Sequence, residues 1–246
     1  MSVKNKVIAV AASLAVVGGA GAGALVMAGS AAAATPSCGS SCLEAYNKNI
    51  GSKFVLDVYK QGQKTGQPVI LFRASNSDPA EDFTVSEQGT VNDFYQAGLV
   101  SSALALHYGC VTGVNSANCQ YPNLEAYEIE YAPYGADTGL CVGLGSAASN
   151  GTKVALEPCG VSSKTVWIAD HADSTPFGRS LPLINGSDTN FSQPYVLTYP
   201  STAYPTDNPR PQLYTHSLTG FSNGSGPTLG TVDDNQLWSF KHGVLS

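Results

Sequence analysis

Positive charge is scarce in this chain: 12 Lys and Arg stand against 18 Asp and Glu in 246 residues, a formal charge of −6. Without a basic stripe there is nothing to meet a phosphate backbone, so nucleic acid is not an expected partner. Histidine is scarcer still, at four residues. No Cys-x-x-Cys occurs, and Cys38-x-x-x-Cys42 has no histidine near it, which argues against zinc. After the leader described next, no apolar run is long enough to cross a bilayer, so no membrane association is expected of residues 35–246. Helical periodicity is also missing. Only Thr90 to Tyr108 could pass for a helix, and Leu104, Leu106 and Tyr108 alternate there as they would in a strand.

The start of the chain is the one long apolar stretch. Lys4 and Lys6 precede a run of Ala, Val, Leu and Gly from Val7 to Met27, and small residues at Ala32 and Ala34 precede Thr35. A basic start, an apolar stretch and an Ala-x-Ala site are the marks of a secretory signal. Residues 1–34 are therefore expected to be removed, leaving 35–246 as one exported, extracellular domain, expected to be a monomer. All six cysteines follow that boundary: Cys38, Cys42, Cys110, Cys119, Cys141 and Cys159. An even number in an exported chain implies disulfides. Sequence alone does not choose the connectivity; pairing of near neighbours, 38 with 42, 110 with 119 and 141 with 159, is the expectation.

Short strands recur in the same order three times. The first unit runs through Phe54–Val58, Val69–Phe72 and Asp82–Val85, the second through Leu140–Leu144, Val154–Glu157 and Val166–Ile168, and the third through Tyr195–Tyr199, Gln212–Tyr214 and Gln236–Trp238. Each unit is too small to bury its own apolar face, so three are expected to pack around a shared centre. Turn signals separate the strands, among them Asn150-Gly151, Pro205 to Pro209 and Asn223 to Pro227. An all-β sandwich or barrel follows. Residues 87–123 read as an insertion between units one and two, closed at its tip by Cys110 and Cys119; counting it as a unit would make four repeats. In Ala126–Tyr131, the residues Tyr127, Ile129 and Tyr131 alternate with Glu128 and Glu130, the pattern of a half-buried strand with a charged outer face.

The second unit, with Cys141 in its first strand here, Asn150-Gly151 at its turn, Cys159 past its next strand and Trp167 at its close, resembles one unit of a ricin-type β-trefoil, and Gln236-Leu-Trp238 matches the Gln-x-Trp that closes such units. The resemblance spans roughly 45–85 and 125–240 and implies a β-trefoil of three pseudo-repeats. Glu81-Asp-Phe83 and Thr165-Val-Trp167 stand in the other two closing positions, keeping the large aromatic that a core needs while the polar residue varies.

In that family a sugar site combines an Asp late in the second strand, an aromatic ending the third, and an Asn-Gln pair before the closing aromatic. Carboxylate and amide serve the hydroxyls, and the ring covers the C–H face of the sugar. Unit one offers Asp57 and Phe72, with Ala80 and Glu81 in the Asn-Gln positions and Asn76 and Asp78 nearby. Unit three offers Tyr214, Asn235 and Gln236, with Thr198 in place of the Asp. Unit two has Gly143, Glu157, Lys164 and Thr165, and no site is expected there. The resemblance thus implies carbohydrate binding by Asp57, Phe72, Asn76, Glu81, Tyr214, Asn235 and Gln236, although no unit keeps the full set. The alternative for the polar members is that they satisfy backbone groups at turns and strand ends.

Catalytic signatures lack their context. Gly220-Phe-Ser222-Asn-Gly224 fits the nucleophile elbow, but a loop composition follows it and no strand-turn-helix can form. Gly143-Leu-Gly145-Ser-Ala-Ala148 mimics a dinucleotide fingerprint with no helix after it. Asp170-His171-Ala-Asp173 is the tightest ligand-type cluster and reads as a solvated loop. No cofactor or metal is expected. The expected function is a secreted carbohydrate-binding module without turnover, its partner an extracellular glycan or polysaccharide. A protein-binding or protease-inhibitor trefoil presenting 108–122 or 200–211 is the alternative, and a hydrolase using strand-end acids a third.

Overall fold

The computed structural model describes residues 42–75, 77–109, 124–169, 180–201, 206, 210–220 and 231–241. The leader, Cys38, Asn76, Cys110, Cys119, the 170–173 cluster and Ser222 lie outside the described residues.

Among the described residues strands dominate, and they fall into three units of four. The first unit has β1 (Glu44–Asn47), β2 (Phe54–Val58), β3 (Val69–Arg73) and β4 (Phe83–Thr90). The second has β5 (Glu125–Tyr131), β6 (Leu140–Leu144), β7 (Val154–Pro158) and β8 (Val166–Ala169). The third has β9 (Leu183–Asn185), β10 (Tyr195–Thr198), β11 (Tyr214–Ser217) and β12 (Trp238–Lys241). Each unit therefore gains a leading strand that sequence periodicity did not single out as part of it. The third strand of unit three starts at Tyr214, not Gln212, which makes only a single bridge to Ile70.

First and last strands of the units form a nearly closed barrel. β1 pairs with β12, β4 with β5, β5 with β8 and β8 with β9, all antiparallel. Single bridges, Leu43 to Phe83 and Leu181 to Trp238, make the remaining joins. The middle strands form hairpins, β2–β3, β6–β7 and β10–β11. Bridges Pro68 to Ala155, Ile70 to Gln212 and Lys153 to Tyr214 tie each hairpin to the other two. The core mixes residues of all three units, among them Leu56, Phe83, Ile129, Trp167, Leu197 and Trp238, so no unit could bury its apolar face alone.

Every unit closes with a 3-10 turn before its last strand: Pro79–Glu81, Ser163–Thr165 and Asp234–Gln236. The aromatic that follows points into the core. Trp167 and Trp238 are fully buried, and their indole N–H groups donate to the carbonyls of Val142 and Leu197, each at 2.8 Å. Phe83 holds the third position without a donor and packs against Tyr131 at 5.7 Å between ring centroids. Opposite the two Trp residues stand Asn47 and Asn185, both fully buried, each donating to carbonyls of the neighbouring closing turn.

Residues 91–108 are not a strand. Helix α1 (Val91–Gln96) starts at a capping box formed by Thr90 and Asp93, and α2 (Ser102–Tyr108) starts at Ser101, whose hydroxyl accepts from the N–H of Leu104. Leu104, Ala105 and Tyr108 turn inward and Leu106 is exposed, so the helix period displaces the alternation read from sequence. The helices cover the outer face of β5, β8, β9 and β10, where Ala126, Ile168, Ile184 and Val196 meet Val91, Phe94 and Leu104. β4 pairs with β5 as far as Thr90, so the segment between them begins at Val91, and its described residues form helices and no strand.

The alternation in β5 sets the facing correctly and the solvation wrongly. Glu128 and Glu130 point away from the core containing Tyr127 and Ile129 but are 2% and 6% exposed. The N–H groups of Gly160 and Gly139 donate to them, so they serve backbone groups and form no charged outer face. Cys141 and Cys159 are joined, as expected, and Cys42 is in a disulfide with a partner outside the described residues.

Asp188 links the fold to pH. It is 1% exposed; one carboxyl oxygen accepts from the N–H groups of Asn190 and Tyr195, and the other is buried without a partner among the described residues. Burial, opposed by those N–H bonds, pushes its pKa from 3.8 to about 6. Between those values the folded protein holds a proton that the unfolded chain has lost. Stability from this group is thus full below the ordinary value and is lost as pH rises through about 6, by about 3 kcal/mol in total. Denaturant unfolding at steps from pH 4 to 7 is expected to show a shallower decline in Asp188→Asn than in the parent protein; equal slopes would rule the effect out.

Candidate functional site

Unit one carries a cavity of about 460 Å³ beside its hairpin. Asp57 and Phe72 line it from β2 and β3, Asp78 and Ala80 from the entry to the closing 3-10 turn, and Lys60 and Gln61 from the turn after β2. The bridge from Ile70 to Gln212 and the bond from the N–H of Leu213 to the carbonyl of Val69 hold the segment before β11 against β3. Arg210 of unit three thereby enters the cavity of unit one. Lys60 and Gln61 both sit at positive φ, 56° and 55°, an uncommon conformation for non-glycine residues and a strained lip for the cavity.

The chemistry is that of crowded carboxyls beside the Arg210 guanidinium, with Lys60 also at the wall. Asp57 is 3% exposed, and among the described residues no hydrogen-bond donor reaches its carboxyl. Burial first, then the charge of Asp78, push its pKa up to about 7, with Arg210 pulling the other way. Asp78 accepts from the N–H of Ala80 at 3.0 Å and from the Gln61 amide at 3.1 Å through one oxygen. Glu81 lies beneath, 6% exposed, and burial with the charges of Asp57, Asp78 and Glu44 drives it to about 8 against the N–H bond from Ser75. The Arg210 guanidinium lies 3.6 Å from the centroid of the Phe72 ring, covering the face a sugar would stack on.

Of the residues expected from sequence, Asp57 and Phe72 line this cavity and Glu81 clusters with the Asp57 and Asp78 carboxyls without lining it, while Tyr214, Asn235 and Gln236 are not in its lining. Tyr214 meets the Lys153 ammonium and the edge of His216 instead. The Asn235 amide donates to the carbonyl of Tyr199, which is fully buried. Gln236 is 1% exposed and spent on backbone: its oxygen accepts from the N–H and hydroxyl of Thr219, and its amide donates to the carbonyl of Ser217. Unit two has no room for an acid where unit one has Asp57. A Cβ on Gly143 would come within 2.8 Å of the Thr165 methyl and 3.2 Å of the Lys164 carbonyl. Unit three fills that place with Thr198, whose hydroxyl bonds the carbonyl of Val196.

Glu81 and Gln236 do the same work in different units. The N–H two residues beyond the third strand belongs to Ser75, Gly160 and Thr219 in turn, and it donates to Glu81, Glu128 and Gln236. In unit two Thr165 is too short to reach, so Glu128 enters from β5 and takes the Thr165 hydroxyl as well. Sequence reasoning missed Glu128 in this role, and it missed Arg210 and Lys60 at the cavity, because nothing local in the chain marks contacts between units.

No family model and no curated protein matches the sequence. Among solved structures the chain is similar to ThreeFoil, a designed 3-fold symmetric protein, at 13% identity over 81% of this chain and 97% of that one, with a TM-score of 0.48. It is similar to the Rhizoctonia solani agglutinin at 12% identity over 82% and 95%, TM-score 0.45. It is also similar to an exo-beta-1,3-galactanase from Clostridium thermocellum at 10% identity, covering 82% of this chain and 30% of that one, TM-score 0.49.

Proposed function

We propose that the chain is a divergent ricin-type β-trefoil, exported after loss of residues 1–34, that binds an extracellular glycan in the cavity of unit one without turning it over. The observation that supports this reading is the Asp57 carboxyl. Among the described residues no donor meets it, and it opens on a cavity beside an aromatic ring. Buried polar groups are ordinarily paired. A carboxyl left open toward a cavity is suited to accept from ligand hydroxyls, which supply the missing bonds. Phe72 provides the apolar face once Arg210 swings off it, and Arg210 then has a ring oxygen or hydroxyl to donate to. Units two and three lack the acid, so one site per chain is expected.

Binding of the purified protein to soluble and insoluble polysaccharides, with Asp57→Ala and Asn235→Ala alongside, tests this. Asp57→Ala is expected to weaken binding at least about tenfold, the effect of losing one charged partner. Asn235→Ala should bind as the parent does. Folded Asp57→Ala that keeps full affinity, or a folded parent that binds no polysaccharide, would sink the proposal.

A further inference from the structure

The ring that would stack a sugar already carries a cation. The Arg210 guanidinium lies 3.6 Å from the centroid of the Phe72 ring, half-buried in the wall of the cavity. Among the described residues it enters no hydrogen bond and no ion pair, so its N–H donors remain unused beside the cavity. Lys60, at the strained lip, stands 5.2 Å from the centroid of the Tyr59 ring and likewise has no ion pair among the described residues.

The cover is a repeated device. Arg210 and Lys153 each stand four residues ahead of the third-strand position that holds Tyr214 in unit three and Glu157 in unit two. Each lies over the ring of another unit, Arg210 over Phe72 and Lys153 over Tyr214, the latter at 5.3 Å. Unit one has Pro68 at the cation's position, bridged to Ala155 of unit two, and unit two has Glu157 where the ring would be. Cation and ring are thus both present in two of the pairs and both missing in the third. Of the two covered rings, Phe72 is the one that lines the cavity.

A covered ring decides which sugar opens the site most readily. A cation on an aromatic face is a favourable contact, and a neutral sugar that stacks on Phe72 must displace it while offering the guanidinium only hydroxyl and ring oxygens. A sugar with a carboxylate gives the displaced guanidinium a two-pronged, charge-assisted partner that hydroxyls do not match. Lys60 adds a second cation to the same wall. Below about pH 7 the buried Asp57 carboxyl keeps its proton, so it adds no negative charge and can donate its O–H to a ligand oxygen. Asp78 is then the one carboxylate lining the cavity among the described residues, against two cations.

We propose that the cavity of unit one selects an acidic glycan, built of uronic acid residues, with Arg210 released from Phe72 to hold the sugar carboxylate while the ring receives the sugar face. This rests on the glycan reading of the same cavity and adds the class of sugar. Bulk charge does not supply the preference. A chain with a formal charge of −6 repels a polyanion at long range, so the attraction has to be local.

Polygalacturonate and alginate, each beside its esterified form, present the same sugars with and without the charge, and a neutral galactan is the further probe. Binding of the full-length protein is measured by calorimetry just below neutral pH, with Arg210→Gln and Lys60→Gln alongside. The parent protein is expected to bind at least one polyuronate about tenfold or more tightly than its ester, the effect of one charge-assisted pair. Arg210→Gln should bring that ratio below about threefold, and Lys60→Gln should lower it by less. Because acid and ester are compared on one variant, a loss of fold stability moves both and leaves the ratio alone. Equal binding of acid and ester, or binding of galactan alone, overturns the inference and leaves the glycan reading standing. A preference that survives Arg210→Gln overturns it as well. So does a folded parent protein that binds neither polyuronate, and the glycan reading is then decided by the wider set of polysaccharides with Asp57→Ala.

Discussion

Replacing Trp238 by alanine is expected to cost about 5 kcal/mol, enough to leave much of the protein unfolded at room temperature. The side chain is fully buried among residues of all three units. Its removal forfeits the transfer energy of an indole and opens a cavity, together about 3–5 kcal/mol. It also orphans the carbonyl of Leu197, for about 1 kcal/mol or more. The position is where the barrel closes, because Trp238 pairs with Asn47 on β1 and bridges to Leu181 ahead of β9. Trp238→Phe separates the terms. It keeps most of the bulk, reproduces what unit one has in Phe83, and should cost about 1–3 kcal/mol, mainly the lost N–H bond. Equilibrium denaturation of both variants checks the pair. A cost below about 2 kcal/mol for the alanine variant would mean that the barrel does not close through this residue.

Glu128→Ala should be the second most damaging change, at about 3–4 kcal/mol. The carboxyl accepts from the N–H of Gly160 with both oxygens, at 3.0 and 2.9 Å and half-buried, and from the Thr165 hydroxyl at 2.5 Å, away from water. Truncation takes the acceptor from both groups and leaves a cavity where the buried side chain stood. Unit three suggests the repair. Thr165→Gln in the Glu128→Ala background puts at the closing turn of unit two the side chain that Gln236 provides in its own unit. About 1–2 kcal/mol should return, the worth of a restored buried bond. Exchange of the Gly160 amide should quicken in the single variant and slow again in the double; an amide indifferent to both changes would refute the role.

How far the chain can be read without coordinates depends on the range of the interactions involved. Phe54–Val58, Val154–Glu157 and Val166–Ile168 are compact apolar runs between turn residues, and each is a strand where it was expected. β1 and β9 are short and were missed as members of units; what makes them strands is pairing with β12 and β8 across the barrel. Leu104, Leu106 and Tyr108 fit a two-residue period by accident. The stronger local signals were the caps, Thr90 with Asp93 and Ser101 before Leu104, and these mark helix starts. At the site, the spacing of Asp57, Phe72 and Glu81 was legible because all belong to one unit. Arg210 was not, since it arrives from unit three through a bridge to Ile70. Gln236 looked like a ligand residue and is a turn lock, a difference that lies only in which way its amide faces.

The shared N–H beyond each third strand has a consequence for how such a chain can change over time. Three acceptors of different chemistry serve it: an acid from the closing turn, an acid from a neighbouring strand, and an amide. What selection must preserve is therefore an oxygen at a place, not a residue at a position. Once a copied unit finds a substitute from another strand, its original side chain is free to drift. Internal likeness between the copies then erodes while their geometry holds.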